Sequence, residues 1–202
     1  MMPIRAICIT LPECPDRTAK ARQHFKDRSI DVTFFDGIHA EKFGLSTVHT
    51  YDVDHPGTNF RIGYKCTGIW LSHYLLWTAL NRVWEDHWLI MEDDVCLAED
   101  WHPRMIAALN DAPPDFDMLY VGSCCCANKP TTHVKGEAFK VEWPFCTHAY
   151  IVAKKALPIL LRTQRKIYAP IDVSMAFHSF PEMKVVTVLP TICTQFDTIL
   201  SP

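Results

Sequence analysis

Several features that mark common protein classes are absent from this chain of 202 residues. No apolar run approaches the roughly 18 residues of a membrane-spanning helix, so no transmembrane segment is predicted. The first residues, Met1–Arg5, lead into a strand-like segment and lack the apolar core of a signal peptide. No run of Lys and Arg exceeds two residues and the net charge is only −3, so nothing indicates nucleic-acid binding.

Glycine is scarce too, with seven in the chain, and neither Gly-x-Gly-x-x-Gly nor a P-loop Gly-Lys-Ser/Thr occurs. These patterns form the usual backbone cradles for phosphate. If this protein binds phosphate, we expect charged side chains or a carboxylate-bound metal to hold it.

The nine cysteines include three in a row, Cys124–Cys126, but no Cys-x-x-Cys pair. Consecutive residues of a strand point to opposite sides, so a zinc cluster built on this run is not predicted, and we expect inert or partly buried thiols. An odd number of cysteines without a secretory signal is typical of a reducing compartment, which favours a cytoplasmic protein.

The rest of the composition is that of a folded protein, with 49% hydrophobic and 21% charged residues, and the length suits one domain spanning residues 1–202. The pattern of apolar residues predicts an alternation of strands and helices, with a loop over 43–61. The predicted strands are Ile4–Leu11, Ile30–Phe35, a run ending at Glu92, Asp117–Val121, Lys135–Trp143, Cys146–Val152 and Lys184–Leu189. The predicted helices are Pro15–Arg22, Cys66–Trp84, Asp100–Leu109, Lys154–Arg162 and a segment that opens at Pro170. We therefore expect an α/β fold.

Three consecutive carboxylates, Glu92, Asp93 and Asp94, follow the apolar run Leu89–Met91. Two like charges about 4 Å apart repel by about 1 kcal/mol in water and by about 4 kcal/mol in a partly shielded site. The triplet therefore either lies on a solvated turn or needs a cation such as Mg²⁺ or Mn²⁺, which prefers oxygen ligands. Both interpretations stay open at this point.

A parallel sheet would bring the carboxyl ends of its strands to one edge, where ligands of open α/β sheets bind. That edge would collect the segment Thr10–Arg17, Asp36, the acidic triplet and Gly122–Ser123. The sequence thus predicts one crevice that contains an arginine and an acidic cluster.

Five stretches together resemble glycosyltransferase family 25, the group of lipooligosaccharide and procollagen galactosyltransferases. They are Ile9-Thr10-Leu11 with Arg17, Gly63–His73, Leu89–Val95, Cys146–Val152 and Pro170-Ile171-Asp172, followed by Gln195 and Ser201 near the end. Two positions depart from the family pattern: Thr10 replaces the usual Asn, and Lys65 stands where an acidic or small residue is more typical.

The resemblance implies a GT-A fold, Rossmann-like, with a mostly parallel central sheet and helices on both faces. It also implies an inverting transfer of galactose or glucose from a UDP-sugar to an acceptor hydroxyl, with Mn²⁺ or Mg²⁺ at the acidic motif. A glycan is the default acceptor, which suggests lipopolysaccharide biosynthesis.

The resemblance also suggests roles for individual residues. Asp94 is the first candidate for a metal ligand, with Glu92 and His148 as further candidates. Asp172 is the first candidate for the base and Asp93 the second. The candidates for donor binding are Thr10, Leu11, Arg17, Glu92, Asp93, Thr147, His148 and Gln195.

Structural roles are the alternatives to the functional roles of several of these residues. Asp172 could cap a helix, His148 could be a core histidine, and Arg17 could lie on an exposed helix surface. His73 is expected to be structural, and Trp101 and Trp143 are candidates for stacking on a sugar. For the whole protein, the alternatives are a non-catalytic GT-A-fold binding protein and a metal-dependent nucleotidyltransferase or phosphohydrolase.

Overall fold

The computed structural model describes residues 4–45, 48–50, 60–124, 131–141 and 143–196. The strands are β1 (Arg5–Thr10), β2 (Val32–Asp36), β3 (Val48–Thr50), β4 (Phe60–Ile62), β5 (His87–Glu92), β6 (Val95–Leu97), β7 (Met118–Cys124), β8 (Thr131–Lys135), β9 (Ala138–Val141), β10 (Phe145–Ala153), β11 (Val185–Val188) and β12 (Cys193–Gln195). The helices are α1 (Pro15–Asp27), α2 (Tyr64–Leu80), α3 (Trp101–Asp111), α4 (Leu157–Thr163) and α5 (Ile171–His178).

Eight strands form the central sheet, in the order β2-β1-β5-β10-β7-β11-β9-β8. The pairings give six strands one direction and reverse β9 and β10. This confirms the predicted α/β fold with a mostly parallel sheet. The reversed strand β10 lies between β5 and β7, so its first residues reach the edge at which β5 ends.

Helices cover both faces of the sheet, as predicted. Alternate residues of β5 show why: Leu89 and Met91 face the core that α1 and α3 close, whereas Trp88 and Ile90 face the core closed by α2, α4 and α5. Side chains of a strand alternate between the two faces, so an unbroken apolar strand needs apolar partners on both sides. This double burial fixes the position of Glu92 at the end of β5.

The structure corrects several details of the predicted elements. Helix α2 ends at Leu80 rather than Trp84, whose side chain is 93% exposed. The predicted loop over 43–61 contains β3 and the start of β4, which pair with each other, and residues 46–47 and 51–59 lie outside the described part. The short strands β6 and β12, which pair beside the acidic triplet, were not predicted as a pair. Among the described residues, no helix has both the length and the apolar character needed to cross a membrane.

Candidate functional site

A cavity of about 370 Å³ lies at the carboxyl ends of β1 and β5. This volume falls within the range of roughly 300–1,000 Å³ that is usual for small-molecule sites. The predicted site residues that line it are Thr10, Leu11, Arg17, Glu92, Asp93 and Asp94. The structure therefore brings six of the predicted residues together in one crevice.

One wall of the cavity is built where α2 meets the segment after β2. The hydroxyl of Ser72 accepts a hydrogen bond from the N–H of Ile38 at 2.8 Å and donates one to the carbonyl of Gly68 at 2.7 Å. A Cβ on Gly68 would lie 2.5 Å from the carbonyl oxygen of Ile38, so only glycine allows this approach. The N–H of Gly37 in turn donates to the carbonyl of Thr10 at 2.7 Å, which ties this wall to β1.

Arg17 of α1 reaches the acidic triplet from the other side. Its guanidinium forms a hydrogen-bonded ion pair with Asp93 and lies 3.6 Å from Oδ2 of Asp94. Burial would lower the pKa of Arg17, but the two carboxylates raise it above its usual value. Burial also raises the pKa of Asp93, and Arg17 opposes that rise. The arginine is thus the cation that offsets the clustered negative charge.

The negative charge of Asp94 is only partly offset by its neighbours. Its Oδ2 accepts a hydrogen bond from the side-chain amide of Gln195 at 3.2 Å, and its carbonyl accepts one from the N–H of Phe196. Its Oδ1 is buried and has no hydrogen-bond partner among the described residues. Burial, followed by repulsion from Glu92, raises the pKa of Asp94 to about 6. A carboxylate oxygen left in this state is suited to binding a cation.

Glu92 has two side-chain partners that fix its carboxylate. Its Oε1 accepts a hydrogen bond from the hydroxyl of Thr147 at 2.6 Å and lies 3.2 Å from Nε2 of His73. Burial works to raise the pKa of Glu92, but the hydrogen bond and electrostatic attraction of His73, together with the hydrogen bond from Thr147, outweigh it and leave the pKa below its usual value. Glu92 therefore stays ionised at the back of the cavity.

Behind Glu92, a chain of hydrogen bonds runs into the core. Nε1 of Trp77 donates to the hydroxyl of Tyr150 at 3.0 Å, and this hydroxyl lies 2.8 Å from Nδ1 of His73. An indole N–H can only donate and a carboxylate can only accept. The tautomer that gives every contact one donor has the proton of His73 on Nε2, with the Tyr150 hydroxyl donating to Nδ1. His73 is thus an internal link between α2, β10 and Glu92.

Asp172 lies outside the residues that line the cavity. In the first turn of α5, its Oδ2 accepts a hydrogen bond from the N–H of Cys146 at 2.9 Å and its Oδ1 one from the N–H of Val173 at 2.8 Å. Asp172 is the second residue of α5 and makes no N-cap hydrogen bond, so its contacts fix the carboxylate beside the start of β10 rather than cap the helix. Cys146 is the residue just before Thr147, which bonds Glu92.

His148 is buried behind the cavity rather than on its wall. Its ring lies against Gly122, where a Cβ would meet Nε2 at 2.5 Å. Neither ring nitrogen has a hydrogen-bond partner of normal geometry among the described residues, although the carbonyl of Cys193 is close. Burial lowers the pKa of His148, partly offset by Glu92, so the ring is neutral.

The expectation of inert free thiols is wrong for two cysteines. Cys124, at the end of β7, and Cys146 form a disulfide, and their Cα atoms lie 5.6 Å apart. The antiparallel pairing of β10 with β7 brings them together, and the sequence does not show which strands pair. Cys146 has a φ of 68°, a left-handed conformation that suits glycine better than cysteine.

The two tryptophans that are candidates for stacking on a sugar have different surroundings. Trp101 packs against the core of α1 and α3, and its Nε1 donates to the carbonyl of Arg28 at 3.1 Å, so it is structural. Trp143 is 37% exposed and its ring contacts Phe177 of α5.

Lys65 at the start of α2 also lines the cavity, but it was singled out only as a departure from a pattern. The sequence predicts a structural role for His73, but this residue also lines the cavity, where it contacts Glu92.

Among the described residues, Cys124, Cys146 and His148 form a group of three possible metal ligands whose ligand atoms all lie within 4.8 Å of one another. The carboxylates Glu92, Asp93 and Asp94 offer the hard oxygen ligands that Mn²⁺ and Mg²⁺ prefer, but their oxygens do not converge in this way. Among these oxygens, Oδ1 of Asp94 is buried without a hydrogen-bond partner.

Comparison with known proteins gives a consistent result. The model of glycosyltransferase family 25 (LPS biosynthesis protein) matches residues 4–175. A glycosyltransferase 25 family member of Anopheles gambiae is 25% identical over 171 residues, which cover 77% of this chain and 28% of the mosquito protein. One of Aedes aegypti is 27% identical over 127 residues, covering 56% of this chain and 20% of that protein. The chain thus spans about a quarter of the length of these curated relatives.

Two solved structures share the fold. One is a glycosyltransferase involved in the glycosylation of the major capsid of PBCV-1, with a TM-score of 0.56 at 8% identity, covering 99% of this chain and 95% of the other. The second, the glycosyltransferase GlyE of Streptococcus pneumoniae, has a TM-score of 0.52 at 8% identity, covering 97% of this chain and 55% of the other. These likenesses confirm the predicted GT-A-type fold.

Proposed function

Because this chain belongs to glycosyltransferase family 25, we propose that it transfers a hexose from a UDP-sugar to an acceptor hydroxyl, with inversion at the anomeric carbon. Galactose or glucose is the proposed hexose. A glycan hydroxyl is the proposed acceptor, and lipopolysaccharide biosynthesis is the proposed setting. The cytoplasm is the proposed compartment, where reductants would act on the Cys124–Cys146 disulfide.

The observation that supports this proposal best is the state of the acidic triplet. Asp93 and Asp94 lie in a cavity of about 370 Å³ and are offset by Arg17, while Oδ1 of Asp94 is buried without a partner. A solvated acidic turn would leave these oxygens in water. Buried carboxylates whose negative charge is only partly offset instead suit a site that binds a metal ion together with a phosphate-bearing ligand.

The donor would meet two kinds of surface in the cavity. Arg17 and Lys65 supply positive charge for a diphosphate, and Arg17 can exchange its contact with Asp93 for phosphate oxygens. Ile38 and Ile69 add apolar surface on which a base can lie. Thr10 and Leu11, at the end of β1, complete the part of the wall that the sequence motif predicted.

The proposed metal ligand is Asp94, with Glu92 or Asp93 bound through water. A Mn²⁺ or Mg²⁺ ion held there would neutralise the departing diphosphate as a Lewis acid. His148 was a further candidate ligand, but its ring nitrogens lie beside Cys124 and Cys146 rather than on the cavity wall. We therefore leave it out of this ligand set.

The proton of the acceptor hydroxyl needs a base. Asp172 remains our first candidate, because two backbone N–H groups hold its carboxylate in a fixed position beside the start of β10. Asp93 remains the second, because it lines the cavity. Thr147 and Gln195, predicted as donor contacts, are proposed instead to position Glu92 and Asp94 through the hydrogen bonds they make.

A thermal-shift experiment with UDP-galactose and UDP-glucose, each with and without Mn²⁺, tests the donor site. A ligand at a hundred times its Kd stabilises the native state by about 2.7 kcal/mol. We expect a Mn²⁺-dependent shift in the wild type and its loss in Asp94→Asn. Asp115→Asn is the matched control, because Asp115 forms an exposed ion pair with Lys184 away from the cavity. No shift with either donor would favour a binding module.

Product analysis separates the remaining alternative. Sugar transfer, or slow hydrolysis of the donor, releases UDP and free or transferred sugar. A phosphohydrolase acting on the same UDP-sugar would release UMP and hexose 1-phosphate, and a nucleotidyltransferase supplied with pyrophosphate would release UTP and hexose 1-phosphate. Detection of UMP as the main nucleotide product would overturn the proposed reaction even if the donor binds.

A further inference from the structure

Three side chains on two neighbouring strands meet behind the donor cavity. Cys124 ends β7, and the reversed strand β10 brings Cys146 and His148 alongside it, with Phe145 paired to Cys124 and Ala149 paired to Gly122. The sulfur atoms and a ring nitrogen of His148 all lie within 4.8 Å of one another. Two thiols and an imidazole at this separation match a set of ligands around one ion.

The imidazole of His148 is the observation that a disulfide alone does not explain. The residue is only 2% exposed, and both ring nitrogens are buried without a normal hydrogen bond to any described residue. A buried polar group without a partner destabilises the folded protein. A neutral imidazole carries a lone pair that can bind a metal. Gly122 leaves room for the ring, since a Cβ there would collide with Nε2.

We propose that Cys124, Cys146 and His148 form a binding site for a thiophilic divalent ion of the zinc class once their disulfide is reduced. A dithiol reductant supplies the two electrons: it becomes a disulfide, the Cys124–Cys146 bond breaks, and two thiols result. Metal binding then displaces the two thiol protons to solvent. Two Cys and one His make three protein ligands, which leave a fourth position for water.

This site differs in chemistry from the carboxylate site in the cavity. Sulfur and imidazole ligands select zinc-class ions, whereas the oxygens of Glu92, Asp93 and Asp94 suit Mn²⁺ or Mg²⁺. The two sites are nevertheless neighbours: Oε1 of Gln195 lies 3.9 Å from the sulfur of Cys124, and its amide nitrogen donates to Asp94. The proposal does not depend on sugar transfer, because it concerns ion binding alone.

The first test compares reduced and oxidised protein. Protein treated with a dithiol under argon, then freed of the reductant, is titrated with Zn²⁺ against a chromophoric chelator and separately with Co²⁺. We expect reduced wild type to bind one equivalent of tight Zn²⁺ more than oxidised wild type, and to show thiolate-to-cobalt charge-transfer absorption. Equal binding by the two forms would overturn the proposal.

Variants locate the site. Cys124→Ser and His148→Asn should each lose the tight equivalent, whereas Cys66→Ser should keep it, since Cys66 is a free, half-buried thiol on α2. Asp94→Asn should also keep it while losing the Mn²⁺-dependent donor shift, so failure of the donor-site proposal and failure of this one are distinguishable. Retention of the tight equivalent in Cys124→Ser would overturn the assignment.

A measurement on the wild type alone covers the case in which a variant fails to fold. Reduced protein is alkylated with iodoacetamide with and without one equivalent of Zn²⁺, and each cysteine peptide is quantified by mass spectrometry. We expect Zn²⁺ to slow alkylation of Cys124 and Cys146 at least tenfold and to leave Cys66 unchanged. Unchanged alkylation of Cys124 and Cys146 would contradict the proposal.

Discussion

Nε2 of His73 lies 3.2 Å from Oε1 of Glu92, and this contact joins the candidate site to the core of the protein. His73 is 1% exposed, yet its ring is satisfied at both nitrogens because Tyr150 bonds the other one. The ionised state of Glu92 is therefore maintained by His73, which also lines the cavity, and by Thr147, while Tyr150 holds the other side of the His73 ring. Changes in this buried chain should alter the stability of the protein as well as its site.

Replacing Tyr150 with Phe should destabilise the protein by about 1–3 kcal/mol, because it leaves the Trp77 N–H and Nδ1 of His73 without their partner. Urea denaturation monitored by tryptophan fluorescence gives the value. Tyr74→Phe is the matched control, since the Tyr74 hydroxyl makes one longer bond, 3.4 Å, to the carbonyl of Leu161. Equal losses of stability in the two variants would mean that the buried chain of hydrogen bonds contributes no more than the single bond of Tyr74.

Gly68→Ala should lower stability although alanine favours helices by about 1 kcal/mol over glycine. The new Cβ would lie 2.5 Å from the carbonyl oxygen of Ile38, and a backbone group cannot move away cheaply. We expect a net loss of about 1–3 kcal/mol and weaker UDP binding, because the displaced segment lines the cavity. Gly63→Ala, with nothing within 4 Å of its Cβ, should change UDP affinity little, as calorimetry would show.

His24 should contribute a loss of stability as the pH decreases through 6.5, whereas Asp94, whose pKa burial raises to about 6, should oppose that loss below about pH 6. Burial lowers the pKa of His24 below its usual 6.5, and its Nε2 accepts a hydrogen bond from the N–H of Leu97 at 2.8 Å. Between the pKa of the folded state and 6.5, the unfolded state therefore binds more protons at His24 than the folded state does. The contribution of His24 to the free energy of unfolding is thus largest above pH 6.5 and declines below it. Urea denaturation at pH 7.5 and 5.5 measures the effect.

His24→Gln is the control for this pH dependence, because glutamine can accept the same bond without titrating. Its loss of stability between the two pH values should be smaller than that of the wild type. The variant should stay pH-dependent, because burial also lowers the pKa of His87 and His148 and raises the pKa of Asp94. A variant with an unchanged pH dependence would show that His24 does not contribute.

Asp172→Asn should reduce kcat by about 10²–10⁴ while leaving the Kd for the donor within about twofold, if Asp172 is the base. Single-turnover transfer and calorimetric UDP-sugar binding separate the two quantities. The amide nitrogen of asparagine would face the N–H of either Cys146 or Val173, so a modest loss of stability is also expected. Full activity in Asp172→Asn together with an inactive, donor-binding Asp93→Asn would transfer the role to Asp93.

Much of this architecture is readable from the sequence because strong apolar strands precede short polar segments. The run before Glu92 predicts a buried strand, and Thr10, Arg17 and the triplet do meet at its end. Contacts that depend on strand order could not be predicted. Strand β10 pairs with both β5 and β7, and this pairing brings Thr147 to Glu92 and Cys146 to Cys124. The residues around these positions in the sequence do not show which strands will pair.

The position of His148 shows a second limit. A histidine next to a motif threonine was a reasonable candidate for the donor site, but successive residues of a strand point to opposite faces. The spacing shows that His148 and Thr147 diverge without showing which of them faces the cavity. Only the neighbouring strand, with Gly122 opposite the ring, places His148 beside the sulfur atoms.

The order of synthesis also determines when the protein can complete its fold. In the central sheet, β2, β1 and β5 lie on one side of β10, and β7, β11, β9 and β8 lie on the other. When a ribosome has made residues up to β9, three separate pieces exist, β2-β1-β5, β7 alone and β9-β8, because β10 and β11 are both still missing. Residues 145–153 then join the first piece to β7 and bring Thr147 to Glu92, and residues 185–188 join β7 to β9. The whole sheet can therefore form only after the last of its strands has been made, well after the acidic triplet.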